Sequence, residues 1–218
     1  MHPLLLTVGS ERYTPYLKNK RPAEILTQAN RILGTGQLSL AKYLFITAEQ
    51  NEPIDVHQIE HYMQSFLERF VLQRDIHFYT NTTIDTLDYS GTGLNSGSKV
   101  VIAAYGDAKR ELAATVPDCL QNLQGFENAK LIMPGVIALQ TKAFTDYETA
   151  IKEAESLNSP LTTYNSPLTP IIILCNDSNF VSGTINNFLW ATFTRCNPSH
   201  DMYGINSFTK NKHWGCNG

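Results

Sequence analysis

The 218-residue sequence has few charges, no basic run and no long apolar run, and these absences exclude several classes of function. Charged residues make up 17% of the chain, the net charge is −3, and the densest basic cluster is Lys18, Lys20 and Arg21. Proteins that bind nucleic acid or an anionic membrane usually carry a basic patch, so we expect neither partner. A membrane-spanning helix needs about 20 consecutive apolar residues, so the sequence predicts no membrane span.

The cysteines are few and scattered, which argues against a disulfide framework and against a Cys-x-x-Cys metal site. Only four are present, at positions 119, 175, 196 and 216. The N-terminal apolar run, residues 4–6, has no basic residue before it and does not read as a secretory signal. These observations predict a reduced, cytoplasmic protein.

Apolar residues, in contrast, are abundant and follow the alternating pattern of an α/β protein. They make up 42% of the chain, which indicates a folded domain. Residues 171–175 read Ile-Ile-Ile-Leu-Cys, a short run typical of a strand buried on both faces. Residues 185–193 place apolar side chains at helical spacing, and we expect Pro198 to stop that helix. The sequence predicts a layered α/β/α fold with a mostly parallel or mixed sheet.

We interpret residues 1–218 as one α/β domain with two special features. Residues 76–112 contain two apolar runs around a segment rich in Gly, Ser and Asn, which predicts an inserted β-hairpin. Residues 4–70 and 136–195 each read as strand, helix, strand and helix, which raises the hypothesis of an internal βαβα duplication. Because any α/β protein alternates in this way, the similarity of the two segments also has a simpler explanation.

Two segments resemble a known family. Residues 190–201 read Trp-Ala-Thr-Phe-Thr-Arg-Cys-Asn-Pro-Ser-His-Asp and resemble the Trp-Ala-x-x-Thr-Arg-x-x-Pro-x-x-Asp signature near the C-terminus of UbiD-type decarboxylases. Residues 34–42 read Gly-Thr-Gly-Gln-Leu-Ser-Leu-Ala-Lys and resemble the family's Gly-x-Gly-Gln-x-x-Leu-Thr-Lys segment. The chain therefore resembles the C-terminal region of a long-type member, in the group of 3-octaprenyl-4-hydroxybenzoate carboxy-lyase and the menaquinone-biosynthesis decarboxylases.

The resemblance implies an activity for a larger parent enzyme. Such enzymes remove carboxylate from aromatic or α,β-unsaturated acids with prenylated FMN and a divalent metal, and quinone biosynthesis is one setting for this reaction. The acid–arginine–acid trio and the metal ligands of the family belong to upstream domains, and we find no such motif here. We therefore expect a C-terminal oligomerisation domain, inactive alone and without a cofactor of its own. Its expected partners are the upstream catalytic domains and further copies, as a dimer or a larger homo-oligomer.

The candidate site has four residues, none of them catalytic. In the family, the lysine of the Gly-x-Gly-Gln motif reaches the cofactor phosphate, and the resemblance carries this role to Lys42. The residues alone favour a different explanation, in which Lys42 is a surface lysine with its side-chain stem packed on the sheet edge. Arg195 and Asp201 are expected to fix the chain after the helix or to pair across subunits, and Trp190 to lie in the core or an interface. Whether Trp190 shares a site with Lys42 stays open.

Two other functions stay open. His57, Glu60 and His61 fit the His-x-x-Glu-His pattern of zinc hydrolases, in which histidines four apart on one helical face share a metal. The same face carries Gln64 and Glu68, which is typical of a solvated surface, so we expect no zinc there. The second alternative is a non-catalytic interaction module.

Overall fold

The computed structural model describes residues 3–13, 16–49, 53–164 and 168–218 and has a mixed α/β fold. The chain forms two compact units where we expected one domain. The first unit comprises Met1–Lys109, Phe193–Met202 and Thr209–Gly215, and the second comprises Arg110–Thr192, Tyr203–Phe208 and Cys216–Gly218. The predicted α/β class is confirmed.

A four-stranded mixed sheet forms the centre of the first unit. Its strands are β1 (Leu4–Gly9), β2 (Tyr43–Ala48), β3 (Ile76–Thr82) and β4 (Gly97–Ala104), in the spatial order β1-β2-β4-β3. Strands β1, β2 and β4 are parallel, with Tyr43 opposite both Leu4 and Val100, and β3 runs antiparallel at one edge. β2 and β4 are buried along their whole length, as near-continuous apolar strands require.

Helices pack on both faces of this sheet. They are α1 (Glu24–Leu33) and α2 (Ile59–Leu67), with a short 3₁₀ helix (Gly36–Leu40) before β2. Side chains alternate between the two faces of a strand. Leu44 and Ile46 of β2 pack with Ile25 of α1. Phe45, on the opposite face, stacks on Phe66 of α2 with ring centroids 5.0 Å apart. The predicted layering is therefore present in this unit.

Region 76–112, predicted as an inserted hairpin, contributes β3 and β4 to the sheet. β3 and β4 do pair antiparallel, as in a hairpin. However, β4 also pairs in parallel with β2 and lies in the sheet interior. The reason is burial, since β4 is covered on both faces and β3, which is partly exposed, takes the edge. The interpretation of this region as an insertion differs from the structure for that reason.

A smaller, three-stranded sheet forms the second unit. Its strands lie in the order β5 (Glu127–Met133), β6 (Val136–Gln140) and β7 (Ile171–Cys175). β5 and β6 pair antiparallel, and β6 pairs in parallel with β7. Gly135, between β5 and β6, has a φ of 79°, and a Cβ there would lie 2.7 Å from a side-chain carbon of Leu112. Glycine alone suits that position.

Strand β7 corrects one expectation, and Pro198 corrects another. β7 was predicted to be buried on both faces, but it lies at the edge of its sheet and is only partly buried. The central strand β6 takes the buried position instead.

Pro198 does not simply stop the preceding helix, which ends at Thr194. It begins a new short helix, where its missing N–H costs nothing.

The remaining helices are α3 (Asp118–Gln121), α4 (Tyr147–Ser156), α5 (Asn158–Tyr164), α6 (Ser178–Gly183), α7 (Ile185–Thr194) and α8 (Pro198–Asp201). A final pair of short strands is β8 (Phe208–Lys210) and β9 (His213–Gly215). The core of the second unit places Leu120, Leu157 and Leu161 against Ile137 and Leu139 of β6. No helix in the described residues is long and apolar enough to cross a bilayer.

Each unit contains a pair of consecutive parallel strands joined through helices, β1 with β2 and β6 with β7, and the first unit has a further parallel pair, β2 with β4. The order of elements in residues 4–70 and 136–195 is therefore similar. A βαβ connection is common to all α/β proteins. A duplication of these segments stays a prediction.

Candidate functional site

Lys42 lies directly before β2, at the amino end of the parallel strands. Its main-chain N–H donates to the Pro3 carbonyl and its carbonyl accepts from Val100, so the backbone is fixed between β1 and β4. The side chain is 1% exposed. Ligands of open α/β sheets usually bind at the opposite, carboxyl ends of the strands. Lys42 is therefore a buried residue at the edge where ligands are less common.

The Lys42 ammonium has a protein acceptor for each of its three protons. Nζ lies 2.8 Å from Asp88 Oδ2, 2.6 Å from Ser90 Oγ and 2.8 Å from the Cys196 carbonyl oxygen. An ammonium has three donors and no acceptor, so its hydrogen bonding is complete. We name Lys42, Asp88, Ser90 and the Cys196 carbonyl the Lys42 cluster.

In the segment between β3 and β4, side chains alternate between solvent and the interior, and Asp88 and Ser90 lie on the interior side. Leu87 and Tyr89 are 78% and 89% exposed, whereas Asp88 and Ser90 point inward. The Asp88 carboxylate also accepts hydrogen bonds from the Ser90 N–H at 3.0 Å and the Ser90 hydroxyl at 2.6 Å. A turn in which an aspartate side chain accepts from the main-chain N–H two residues later is common for this residue type. It holds both acceptors in place for Lys42.

The electrostatics of the Lys42 cluster favour a stable ion pair and a passive thiol. Burial raises the pKa of Asp88, but hydrogen bonds from Lys42 and Ser90 outweigh it, so the pKa lies below its ordinary value. The nearby Asp201 carboxyl has a raised pKa because burial outweighs the Asn197 N–H that it accepts. Burial raises the pKa of Cys196 to about 11, which keeps this thiol protonated and poorly nucleophilic.

A second buried lysine, Lys99, lies opposite Lys42 and is not among the candidate residues predicted from the sequence. Its Nζ donates to the carbonyls of Ser39 at 2.7 Å and Ala41 at 2.9 Å. Burial lowers its pKa to about 8, Asp88 partly opposes this, and the Lys42 ammonium adds to it. The signal was present, since both lysines immediately precede an apolar run, Lys42 before β2 and Lys99 inside β4 before Val100.

Helix α8 is fixed to β4 by a buried amide. The Asn197 side-chain oxygen accepts from the Ser98 N–H at 3.0 Å and from the Ser98 hydroxyl. The Ser98 hydroxyl in turn accepts from the Ser199 N–H at 2.8 Å. Asp201 bonds the Asn197 N–H and closes this turn from the other side, while Arg195 is exposed. Asp201 therefore holds the turn after α7 through the Asn197 N–H. The pairing of Arg195 or Asp201 across subunits stays a prediction.

Sequence comparison decides the family. Residues 2–104 match the model of the 3-octaprenyl-4-hydroxybenzoate carboxy-lyase C-terminal domain. These residues are a UbiD-type C-terminal domain. The predicted family is confirmed, and the Lys42 cluster has three of its four members, Lys42, Asp88 and Ser90, inside the matched part.

Curated relatives extend the similarity beyond the UbiD-type domain. A 4-hydroxybenzoate decarboxylase subunit from Chlamydia pneumoniae is 34% identical over 206 residues, covering 94% of this chain and 32% of the relative. An uncharacterized protein of Chlamydia caviae is 32% identical over 202 residues, covering 93% of this chain and 31% of the relative. The chain thus spans about a third of the length of these relatives.

Solved structures give a weaker similarity. The vanillic acid decarboxylase of Sedimentibacter hydroxybenzoicus in its closed form has a TM-score of 0.38 at 20% identity, covering 53% of this chain and 23% of its own. Its open form has a TM-score of 0.36 at 20% identity, covering 56% of this chain and 24% of its own. These scores carry no argument about function.

The prenylated FMN and divalent metal of UbiD-type enzymes do not fit the side chains as placed. Among the described residues, no group of three or more His, Cys, Asp or Glu side chains could hold a metal. A phosphate at Lys42 would have to replace one of its three present acceptors. The phosphate contact at Lys42 stays a prediction, and we assign no reaction step to the cofactor.

The zinc-hydrolase pattern loses its geometric basis in the UbiD-type domain. Helix α2 begins at Ile59, so His57 precedes it and the two histidines do not share a helical face. His57 Nδ1 lies 3.0 Å from Asp55, and the His57 side chain is 91% exposed. Glu60 and His61 are exposed as well.

Trp190 lies in the second unit, beyond the UbiD-type match. It is 47% exposed and meets Phe180, itself 43% exposed, edge to face with centroids 6.0 Å apart. On the same helix, Phe188 is fully buried. Trp190 is therefore outside the core of its own unit. Its role in a subunit interface stays a prediction.

Proposed function

We propose that this chain is the C-terminal part of a UbiD-like carboxy-lyase that removes the carboxylate of an aromatic or α,β-unsaturated acid. The observation that carries the proposal is the 34% identity, over 94% of the chain, to a protein named as a decarboxylase subunit. That name points to a phenolic acid as substrate, and quinone biosynthesis is a setting that uses such acids. Prenylated FMN with its metal would be held by the region that the relatives have in addition.

The role that the geometry supports for this part is structural. The Lys42 cluster ties the start of β2, the segment between β3 and β4, and the segment after α7 to one ammonium group. A buried cation with complete hydrogen bonding holds segments together and is poorly placed to act as an acid or base. We infer that Lys42 first of all fixes the domain. Contact with a cofactor phosphate would need Asp88, whose side chain is 12% exposed, to give way.

Assembly is the second proposed role. The part of the relatives outside the match is the expected catalytic partner, whether on one polypeptide or two. A second copy is the expected partner of the exposed Trp190–Phe180 pair, because most homo-oligomers close with two-fold symmetry.

Decarboxylation assays with and without the missing region test this proposal. We expect the purified chain alone neither to retain flavin nor to release carbon dioxide from 4-hydroxybenzoate or a cinnamate-like acid. We expect both properties when the chain is fused to the remaining two-thirds of the Chlamydia pneumoniae relative and produced with prenylated FMN. Turnover by the chain alone would contradict the proposal that catalysis needs the region that the relatives have in addition.

The non-catalytic interaction module remains the competing function, favoured by the complete hydrogen bonding of Lys42. It predicts that the fusion assembles and is inactive. The control is the same fusion carrying Lys152→Met, an exposed change that should leave assembly and turnover as they are.

A further inference from the structure

Strand β9 is held against the edge strand β3 by two ring contacts within the first unit. The imidazoles of His77 and His213 lie with centroids 5.2 Å apart. Phe78 and Trp214 meet edge to face at 5.3 Å. β3 is the last strand of the four-stranded sheet, and the two ring contacts place β9 beside it.

Each histidine of the pair has a buried ring nitrogen that lacks a hydrogen-bond partner among the described residues. These nitrogens are the Nε2 atoms of His77 and His213. An imidazole can tolerate this when it is neutral. A proton on Nε2 of His77 would place a positive charge in a buried position with no acceptor, which is unfavourable.

The groups that surround His77 offer little counter-charge. With His77, a small cavity of about 160 Å³ is lined by uncharged residues of α1, β3 and β4, namely Leu26, Ala29, Asn30, Tyr79 and Val101. The carboxylate that acts on His77 belongs to Asp75, which is already paired with the Arg74 guanidinium. Burial lowers the pKa of His77, His213 adds to this, Asp75 opposes it, and Arg74 adds again.

We propose that His77, packed on His213, acts as an acid-sensitive latch: neutral His77 holds β9 on β3, and proton uptake by His77 releases β9. Release exposes the backbone of an edge strand, which is a ready surface for pairing with another chain. The latch is independent of the function proposed above, because it needs neither substrate nor cofactor.

The direction of the pH effect follows from the pKa of His77 in the closed state, with β9 on β3, and in the open state, with β9 released. In the open state His77 is solvated and takes up a proton with the ordinary pKa of 6.5, whereas in the closed state its pKa is lower. Protons therefore favour opening as the pH falls below about 6.5. Between pH 7.5 and pH 5.5, one such imidazole can raise the opening constant by up to about tenfold.

Hydrogen exchange of the β3 and β9 amides, measured by mass spectrometry, tests the latch. After correction for the intrinsic pH dependence of exchange, we expect protection to fall by up to about tenfold from pH 7.5 to pH 5.5. His77→Gln and His213→Gln should each flatten this pH response. The matched control is His57→Gln, since His57 is exposed and lies outside the pair. It should keep the full response.

A second variant keeps the test decisive if a glutamine variant fails to fold. Lys212 has a φ of 64° in the turn between β8 and β9, where glycine is favoured. Lys212→Gly should raise protection at both pH values and leave their ratio unchanged. An unchanged protection in the parent chain, or an equal pH response in His77→Gln, overturns the latch. Stoichiometric zinc that protects β9 and is lost in both glutamine variants also overturns it, since the pair would then be a ligand set.

Discussion

Replacement of Lys42 by methionine should be among the most destabilising single changes in the first unit. Methionine fills similar space but leaves the Asp88 carboxylate, the Ser90 hydroxyl and the Cys196 carbonyl without their shared donor. Removing one partner of a buried ion pair costs about 3–5 kcal/mol. Asp88 keeps 12% of its side-chain surface and can be partly rehydrated, so we expect about 3 kcal/mol, near the lower end of that range.

Urea unfolding followed by Trp214 fluorescence is the assay, in a Trp190→Phe background that leaves one tryptophan. Trp214 contacts Phe78 and so reports on the first unit. The matched control is Lys152→Met, which removes an exposed ion pair with Glu148 and should cost no more than about 0.5 kcal/mol.

A double-mutant cycle with Asp88→Asn isolates the pair. Because the second change removes the stranded charge, the double variant should be more stable than the sum of the single effects by at least about 1 kcal/mol. The pH dependence gives an independent check. The pKa of Asp88 is lowered in the folded chain, so its contribution is present above pH 3.8 and is lost on acidification below it. The difference between Lys42→Met and its parent should shrink in that range. Equal stability of the two at pH 7 would refute the buried ion pair.

Two further predictions concern assembly and metal. Trp190→Ala should weaken self-association by about 2 kcal/mol if Trp190 anchors an interface, and sedimentation at micromolar concentration would show it. A monomeric parent chain would remove the basis for that role. Elemental analysis should find no stoichiometric zinc, and His61→Ala should change stability by less than about 0.5 kcal/mol because the side chain is exposed. One tightly held zinc per chain, lost in His61→Ala, would revive the hydrolase interpretation.

The sequence predicted elements well where apolar periodicity was strong. Strands β2, β4 and β7 and helices α1 and α7 lie where the apolar runs and helical spacing placed them. Boundaries were less accurate where a cap was inferred. Asp55, with Gln58 three residues later, fits the capping-box pattern of a helix start, but α2 begins at Ile59. Thr145 and Glu148 fit the same pattern, but Asp146 caps α4 by accepting from the Thr149 N–H.

The prolines after residue 158 suggest a loop where the structure has a helix. Residues 158–170 contain three prolines, a composition that predicts a loop. The structure begins a helix at Asn158. Pro160 is its third residue, and a backbone N–H in the first turn has no intrahelical acceptor, so proline costs little there.

The candidate site could be predicted only in part, because its contacts join residues far apart in the chain. The importance of Lys42 came from the family motif. Its acceptors lie 48 residues away at Ser90 and 154 residues away at Cys196. Local patterns contain no information on such pairs. Lys99 could have been found by the rule that a lysine before an apolar strand is a candidate for burial.

The division of the first unit among three chain segments has a consequence during synthesis on the ribosome. The Cys196 carbonyl is made 154 residues after Lys42. At about 5–20 residues per second, roughly 8–30 seconds pass before the third acceptor of Lys42 exists. The first unit therefore begins to form early but is completed only after Arg110–Thr192, the main segment of the second unit, has been translated. A nascent chain that stalls in between carries a buried lysine with an incomplete hydrogen-bond set, a natural target for chaperones and proteases.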